Sequence, residues 1–174
     1  MRALNFWKEI TMDRSNFLEE LFSILNQAGI RYCVIGGQAV NAYVEPLVSL
    51  DLDLVVSSDQ LGHLETLLAE DFQMKQFPHS INLSRSGSDL RVQVQTDPRY
   101  ADFLDRAKGL DVLGVVLPVA SLEDVLRGKI WAAQDPERRG SKRQKDLADI
   151  ARLLEAYPDL RVMVPDDILA KLVS

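Results

Sequence analysis

Seven residues, Leu50-Asp51-Leu52-Asp53-Leu54-Val55-Val56, constrain the fold of this chain more than any other stretch. A β-strand sends alternate side chains to opposite faces. Leu50, Leu52 and Leu54 therefore enter a core, while Asp51 and Asp53 emerge together on the other face. Aspartate is a poor strand former, and two like charges side by side repel unless something positive lies between them. Charge placed against edge aggregation is the alternative explanation. A divalent cation carrying a nucleotide phosphate answers the repulsion more directly.

A Gly36-Gly37 pair lies upstream, between a buried strand predicted over 31–35 and a short helix predicted over 38–44 that Pro46 ends. Glycines there let a backbone approach a phosphate, and a following helix offers unpaired N–H groups. Tight packing of a turn would also explain them. The chain has neither GxGxxG nor GxxxxGK[ST], so no dinucleotide fingerprint or P-loop is present.

Asp13 or Ser15 is expected to cap a first helix carrying Phe17, Leu18, Leu21, Phe22, Ile24 and Leu25, with Gly29 closing it. A helix from Ser57 or Ser58 runs to about Glu70. Short strands follow at 74–77, 81–84 and 90–95, with Gly87 in a turn. Asp97-Pro98 opens a short helical stretch. Val112–Val119 reads as one strand, shortened or held at an edge by Pro118. Ser121 resembles the start of a capping box for a helix ending near Gln134. A basic loop precedes an amphipathic helix over 144–156, and a last helix is predicted over 165–173. The expected fold class is α/β (α+β): a small mixed β-sheet flanked by helices over 1–120, then a C-terminal helical segment, 121–174, packed on it.

With 174 residues the chain is long enough to bury a core without covalent staples. Cys33, the single cysteine, excludes an internal disulfide and reads as a small buried hydrophobe in a reducing compartment. No apolar run approaches bilayer length and the N-terminal residues do not form a signal peptide, so a cytoplasmic protein with no membrane association is expected. The net charge of −6 argues against a large nonspecific nucleic-acid surface. Arg138, Arg139, Lys142, Arg143 and Lys145 are a local exception: a solvated loop, or a counter-surface for phosphates. His63 and His79 lie in no zinc-binding array, and Trp131 reads as packing.

Strand, Gly-Gly, short helix and Asp-x-Asp strand together resemble the nucleotidyltransferase superfamily related to DNA polymerase β. Ile35-Gly36-Gly37-Gln38-Ala39, Asp51-Leu52-Asp53-Leu54-Val55 and Lys145-Asp146-Leu147-Ala148-Asp149-Ile150 are similar to the AbiEii/AbiGii toxin-type branch. The resemblance implies that Gly36, Gly37, Ser49 and Lys145 hold an NTP. It implies that Asp51 and Asp53 bind Mg²⁺, and that Lys129 and Asp146 complete the catalytic set. Lys129 reads otherwise as a surface residue, and Asp146 as a complement to its helix N-terminus. The implied activity is transfer of a nucleoside monophosphate to an acceptor hydroxyl on RNA, protein or a small molecule, with an antitoxin-type protein partner. Two positions depart from the pattern. Leu47 stands where many relatives carry arginine, and the third carboxylate's position falls at Gln93, with Gln95 the alternative. A glutamine amide cannot act as a general base, so a degraded relative that binds nucleotide or a partner without turnover is the alternative.

Overall fold

The computed structural model of the chain describes residues 7–9, 16–112 and 114–172. Asp13 and Ser15, the expected helix caps, lie outside them. Helix α1 (Phe17–Gln27) buries Phe17, Leu18, Leu21 and Leu25, a 3–4 spacing that makes one apolar stripe. Gly29 follows its end at φ +64, a left-handed conformation glycine adopts without strain. Strand β1 (Tyr32–Ile35) leads into α2 (Gly36–Tyr43), and β2 (Asp51–Val56) into α3 (Leu61–Leu68). Three short strands follow, β3 (Gln73–Phe77), β4 (Ser80–Ser84) and β5 (Arg91–Gln95). After α4 (Phe103–Arg106) come β6 (Lys108–Val112) and β7 (Val115–Val119). Helices α5 (Leu122–Gln134), α6 (Gly140–Ala156) and the short α7 (Asp166–Leu169) complete the chain.

All seven strands join one sheet in the order β3-β4-β5-β2-β1-β7-β6. Strand β2 is antiparallel to β1 and parallel to β5, and β7 is parallel to β1. The sheet is mixed and flanked by helices, as the sequence pattern predicts. Leu52, Leu54, Ile81, Leu83, Val92 and Val94 are all buried, in one core with the apolar stripes of α1 and α3. Among the described residues no helix is long and apolar enough to cross a membrane.

Three expectations need correction. The segment read as one strand over 112–119 is a hairpin, because Gly114 at φ +89 reverses the chain and its N–H donates to the Asp111 carboxylate at 2.7 Å. Strand β6 is therefore the sheet edge, and β7, despite Pro118, is interior. Pro118 is tolerated because β7 registers with β1 only at Val34 and Val119. The basic loop is shorter than expected, since α6 begins at Gly140 and takes Lys142 and Arg143 into its first turn. At the C-terminal end, a 3₁₀ turn over Pro158–Met163 precedes a helix of one turn in place of the longer helix.

Ser121 caps α5 as expected, its hydroxyl accepting from the Asp124 N–H at 3.2 Å. The Asp124 carboxylate is fully buried between Arg106, at 2.7 and 3.1 Å, and Arg127. The two guanidiniums are 49% and 39% exposed, so water can solvate them once the carboxylate is gone. Asp124→Ala is expected to lower unfolding free energy by about 1–2 kcal/mol through its lost hydrogen bonds, read as a shifted urea midpoint with the slope unchanged.

Candidate active site

The site begins where β1 ends. Ile35 registers opposite Asp53, and the chain turns at once into α2 at Gly36. Gly36 has φ +69, and a Cβ placed on it would lie 2.3 Å from Asp53 Oδ2. No other residue fits there without displacing the carboxylate. A Cβ on Gly37 would meet only Asp149 Oδ2, at an ordinary 3.9 Å. The geometry thus requires the first glycine and tolerates a small side chain at the second.

Asp51 and Asp53 share one face, as strand parity predicts. Burial pushes Asp53 up to about 6, against the pull of Lys129; the neighbouring Asp51 charge adds to the rise, while Arg138 and Lys142 oppose it. Asp51 lies nearer solvent and pairs with Arg91 at 2.8 Å, their side chains 38% and 68% exposed. The β2–β5 register sets Arg91 opposite Asp51 and Gln93 opposite Asp53. The third position beside the acidic pair is therefore an amide.

Lys129 is not a surface residue. Its side chain is 9% exposed and its ammonium lies 2.8 Å from Asp149 and 3.1 Å from Asp146. Burial alone would favour the neutral amine, but the carboxylates of Asp149, Asp146 and Asp53 outweigh it and hold the pKa above the usual lysine range. Asp146 is buried, and also accepts two hydrogen bonds from Arg138, at 2.9 and 3.1 Å. It anchors cations and is turned away from solvent. Arg143 donates to the Ala133 and Asp135 carbonyls at the end of α5. Arg139, Lys142 and Lys145 remain exposed. Of these, Lys142 lies close enough for its charge to pull on Asp53.

The segment before β2 is fastened from two helices. Asn41 of α2 holds Leu47 at both backbone groups, donating to its carbonyl at 2.7 Å and accepting from its N–H at 2.9 Å. Gln38 donates to the Ser49 carbonyl at 3.2 Å. Arg152 of α6 bridges Asp149, at 2.8 Å, to the Glu45 carbonyl, at 2.5 Å. The Ser49 hydroxyl accepts from the Asp51 N–H at 3.2 Å, a local turn that fixes the strand start. Asp149, Arg152, Arg91 and Asn41 were thus missed as site residues. Parity carried the signal for Arg91, and the 3-residue spacing of Asp146, Asp149 and Arg152 on one helix carried it for the other two α6 residues.

The donor set suits a magnesium ion bound to a nucleotide. Mg²⁺ commonly takes one or two protein carboxylates and completes its shell with water and substrate phosphates. Asp51 and Asp53 supply that number, and among the described residues no cluster of three or more acidic, histidine or cysteine side chains forms. The missing Cβ of Gly36 is what lets the Asp53 carboxylate lie against the turn.

Solved structures share this fold over most of the chain. A solution structure of the antibiotic-resistance factor ANT(2″)-Ia is 13% identical with a TM-score of 0.58, covering 84% of this chain and 88% of that one. A crystal structure of the lincosamide antibiotic adenylyltransferase LnuA with lincomycin bound is 10% identical with a TM-score of 0.55, covering 81% and 98%. ANT(2″)-Ia in complex with adenylyl-2″-tobramycin gives 13% and 0.55, covering 85% and 97%. At these identities the likeness establishes the fold, which is that of a nucleotidyltransferase. No curated protein matched the chain. Residues 76–174 match the family described as nucleotidyl transferase AbiEii toxin, of type IV toxin–antitoxin systems, and the chain belongs to that family. Lys129, Lys145 and Asp146 fall inside the matched region, whereas the glycine turn and the acidic pair precede it.

Two outcomes are expected. Asp53 has a folded-state pKa raised above its ordinary value, so its ionised form costs stability above about pH 6, and that cost vanishes as pH falls toward 4. Without metal, Asp53→Asn should therefore be more stable than the parent by about 1–2 kcal/mol at pH 7.5, with a higher melting temperature, and the difference should disappear near pH 4, in paired calorimetric scans. Asn41→Ala should cost about 2 kcal/mol through the unpaired backbone it leaves and speed amide exchange at Leu47 and Asp51 specifically.

Proposed function

We propose that this chain transfers a nucleoside monophosphate from an NTP to an acceptor hydroxyl in a Mg²⁺-dependent reaction. The observation that carries the reading is the close seating of Asp53 against Gly36, beside Asp51 on one face. In this reading Asp51 and Asp53 bind the metal. Gly36 and Gly37 let the triphosphate approach the start of α2, whose first N–H groups face it. Ser49 contributes by fixing the backbone entry to Asp51. Lys129, kept charged by Asp146 and Asp149, sets a positive potential beneath the acidic pair, and Lys142 with Lys145 offsets the triphosphate charge. When bound, Mg²⁺ neutralises phosphate charge and stabilises the leaving pyrophosphate.

Two structural neighbours hold small molecules, lincomycin in the lincosamide antibiotic adenylyltransferase LnuA and adenylyl-2″-tobramycin in ANT(2″)-Ia, which supports a small-molecule acceptor. The family description names a toxin of a type IV toxin–antitoxin system; in this reading the acceptor is RNA or protein, and an antitoxin-type protein is the partner.

One feature favours a second reading. Gln93 opposite Asp53, with Arg91 on Asp51, leaves the face without a third anion. A relative that binds nucleotide without turnover would keep the same glycine turn and basic wall.

Labelled NTPs incubated with protein, Mg²⁺ and total RNA separate the two. The transfer reading predicts pyrophosphate release that Asp51→Asn and Asp53→Asn reduce by at least about a hundredfold, the order expected on removing a group that stabilises transition-state charge. A Mg²⁺-dependent thermal shift with NTP but no release above the variants establishes binding alone. No shift with any NTP rejects both.

A further inference from the structure

We propose that the uncovered face of β3, β4 and β5 binds a single-stranded polynucleotide running toward Asp51 and Asp53. Its service as the acceptor strand rests on the transfer reading above; the binding itself does not.

Strand register defines the surface. Lys75 pairs with Asn82, Asn82 with Gln93, and Gln93 with Asp53, so these four side chains form one row across the sheet. With neighbouring strands about 4.8 Å apart, the row extends roughly 14 Å from the acidic pair, a span of a few nucleotides. Its other side is core: Ile81, Leu83, Val92 and Val94 are buried, whereas Lys75, Phe77, Asn82 and Arg91 are exposed.

Charge selects the occupant. The chain carries 26 acidic residues and a net charge of −6, yet β3, β4 and β5 contain no Asp or Glu and one cation each on β3 and β5. Protection of an edge strand accounts for Lys75, and the 2.8 Å pair with Asp51 accounts for Arg91 while no ligand is bound. Neither accounts for Phe77, whose ring is on the open face of an edge strand and 44% exposed. The Lys75 ammonium sits 5.2 Å from the Phe77 ring centroid, which places a cation and an aromatic platform together at the far end of the row. Cations for phosphates, amides for base edges and an exposed ring for stacking are the elements of single-strand recognition. The surface is an open sheet face, on which unpaired bases can lie against side chains as they do on other sheet platforms.

The test measures binding of one short labelled oligonucleotide as single-stranded RNA, as single-stranded DNA and as a duplex, by fluorescence anisotropy across a salt series. Single strands of one or both sugars should bind with the duplex weaker, the two arms reading the sugar preference. The double variant Lys75→Ala/Phe77→Ala should bind about 10–100-fold more weakly through loss of one phosphate contact and one stacking platform. Its thermal shift with Mg²⁺ and NTP should match the parent. Gln76→Ala, on the same strand but the opposite face, should change nothing. Parental affinity in the double variant, equal duplex binding, or transfer to a protein acceptor with no retention of either single strand would overturn the inference. A nucleotide-dependent shift without single-strand binding rejects this face and leaves the transfer reading standing. Single-strand binding that survives in Asp53→Asn while the nucleotide response is lost keeps the two separate.

Discussion

The arrangement depends on one carboxylate held in the middle of a sheet. Asp53 sits next to the end of β1, under a backbone turn too close for any Cβ and beside a second carboxylate. Nothing in that position favours an anion except the field of Lys129, Arg138 and Lys142. Lys129 in turn stays ionised in the interior only because Asp149 and Asp146 touch it. The C-terminal helices thus do electrostatic work for a strand far away in sequence. Without α5 and α6, burial of Asp53 would have no opposing term. Positions that oppose local stability in this way are where natural proteins concentrate function.

Much of this was legible in the chain. Strand parity puts Asp51 and Asp53 on one face and Gln93 beside them, because a period of two admits no other arrangement once Leu52 and Leu54 are inside. The glycines and the capping serine at Ser121 carried equally local signals. What stayed hidden depends on distance. That Lys129 is interior follows from partners 17 and 20 residues away, and the fastening of Glu45 by Arg152 spans 107 residues. No periodicity encodes such pairings. The β6–β7 hairpin was lost for a different reason. Lys108–Val112 reads Lys-Gly-Leu-Asp-Val, with too little alternation to mark a strand, and its identity comes from pairing with β7.

The five cations near α6 looked alike in sequence and differ in the fold. Arg138 and Arg143 are engaged, one on Asp146 and one on the carbonyls that end α5, so they fix the angle between the two helices. Arg139, Lys142 and Lys145 remain exposed. Arginine in the engaged places and lysine in two of the three exposed ones matches their chemistry. The planar guanidinium holds two acceptors at once, while an ammonium serves as a compact point charge.

The Arg91–Asp51 pair decides whether the acidic face is open or blocked. Its arginine is largely in solvent, and exposed pairs of this kind contribute about 0–1 kcal/mol. A permanent plug would need burial and a second anchor, such as Arg138 has on Asp146. In the proposed reaction a divalent ion carrying a triphosphate would compete for Asp51 with far greater charge density, and Arg91 would be free to face the phosphates. In the structure Arg91 is a counter-ion that keeps the face near neutrality. The same reasoning explains why a neutral Gln93 is compatible with the site: a third anion next to Asp53, already pushed up to about 6, would deepen a repulsion that Lys129 only partly offsets.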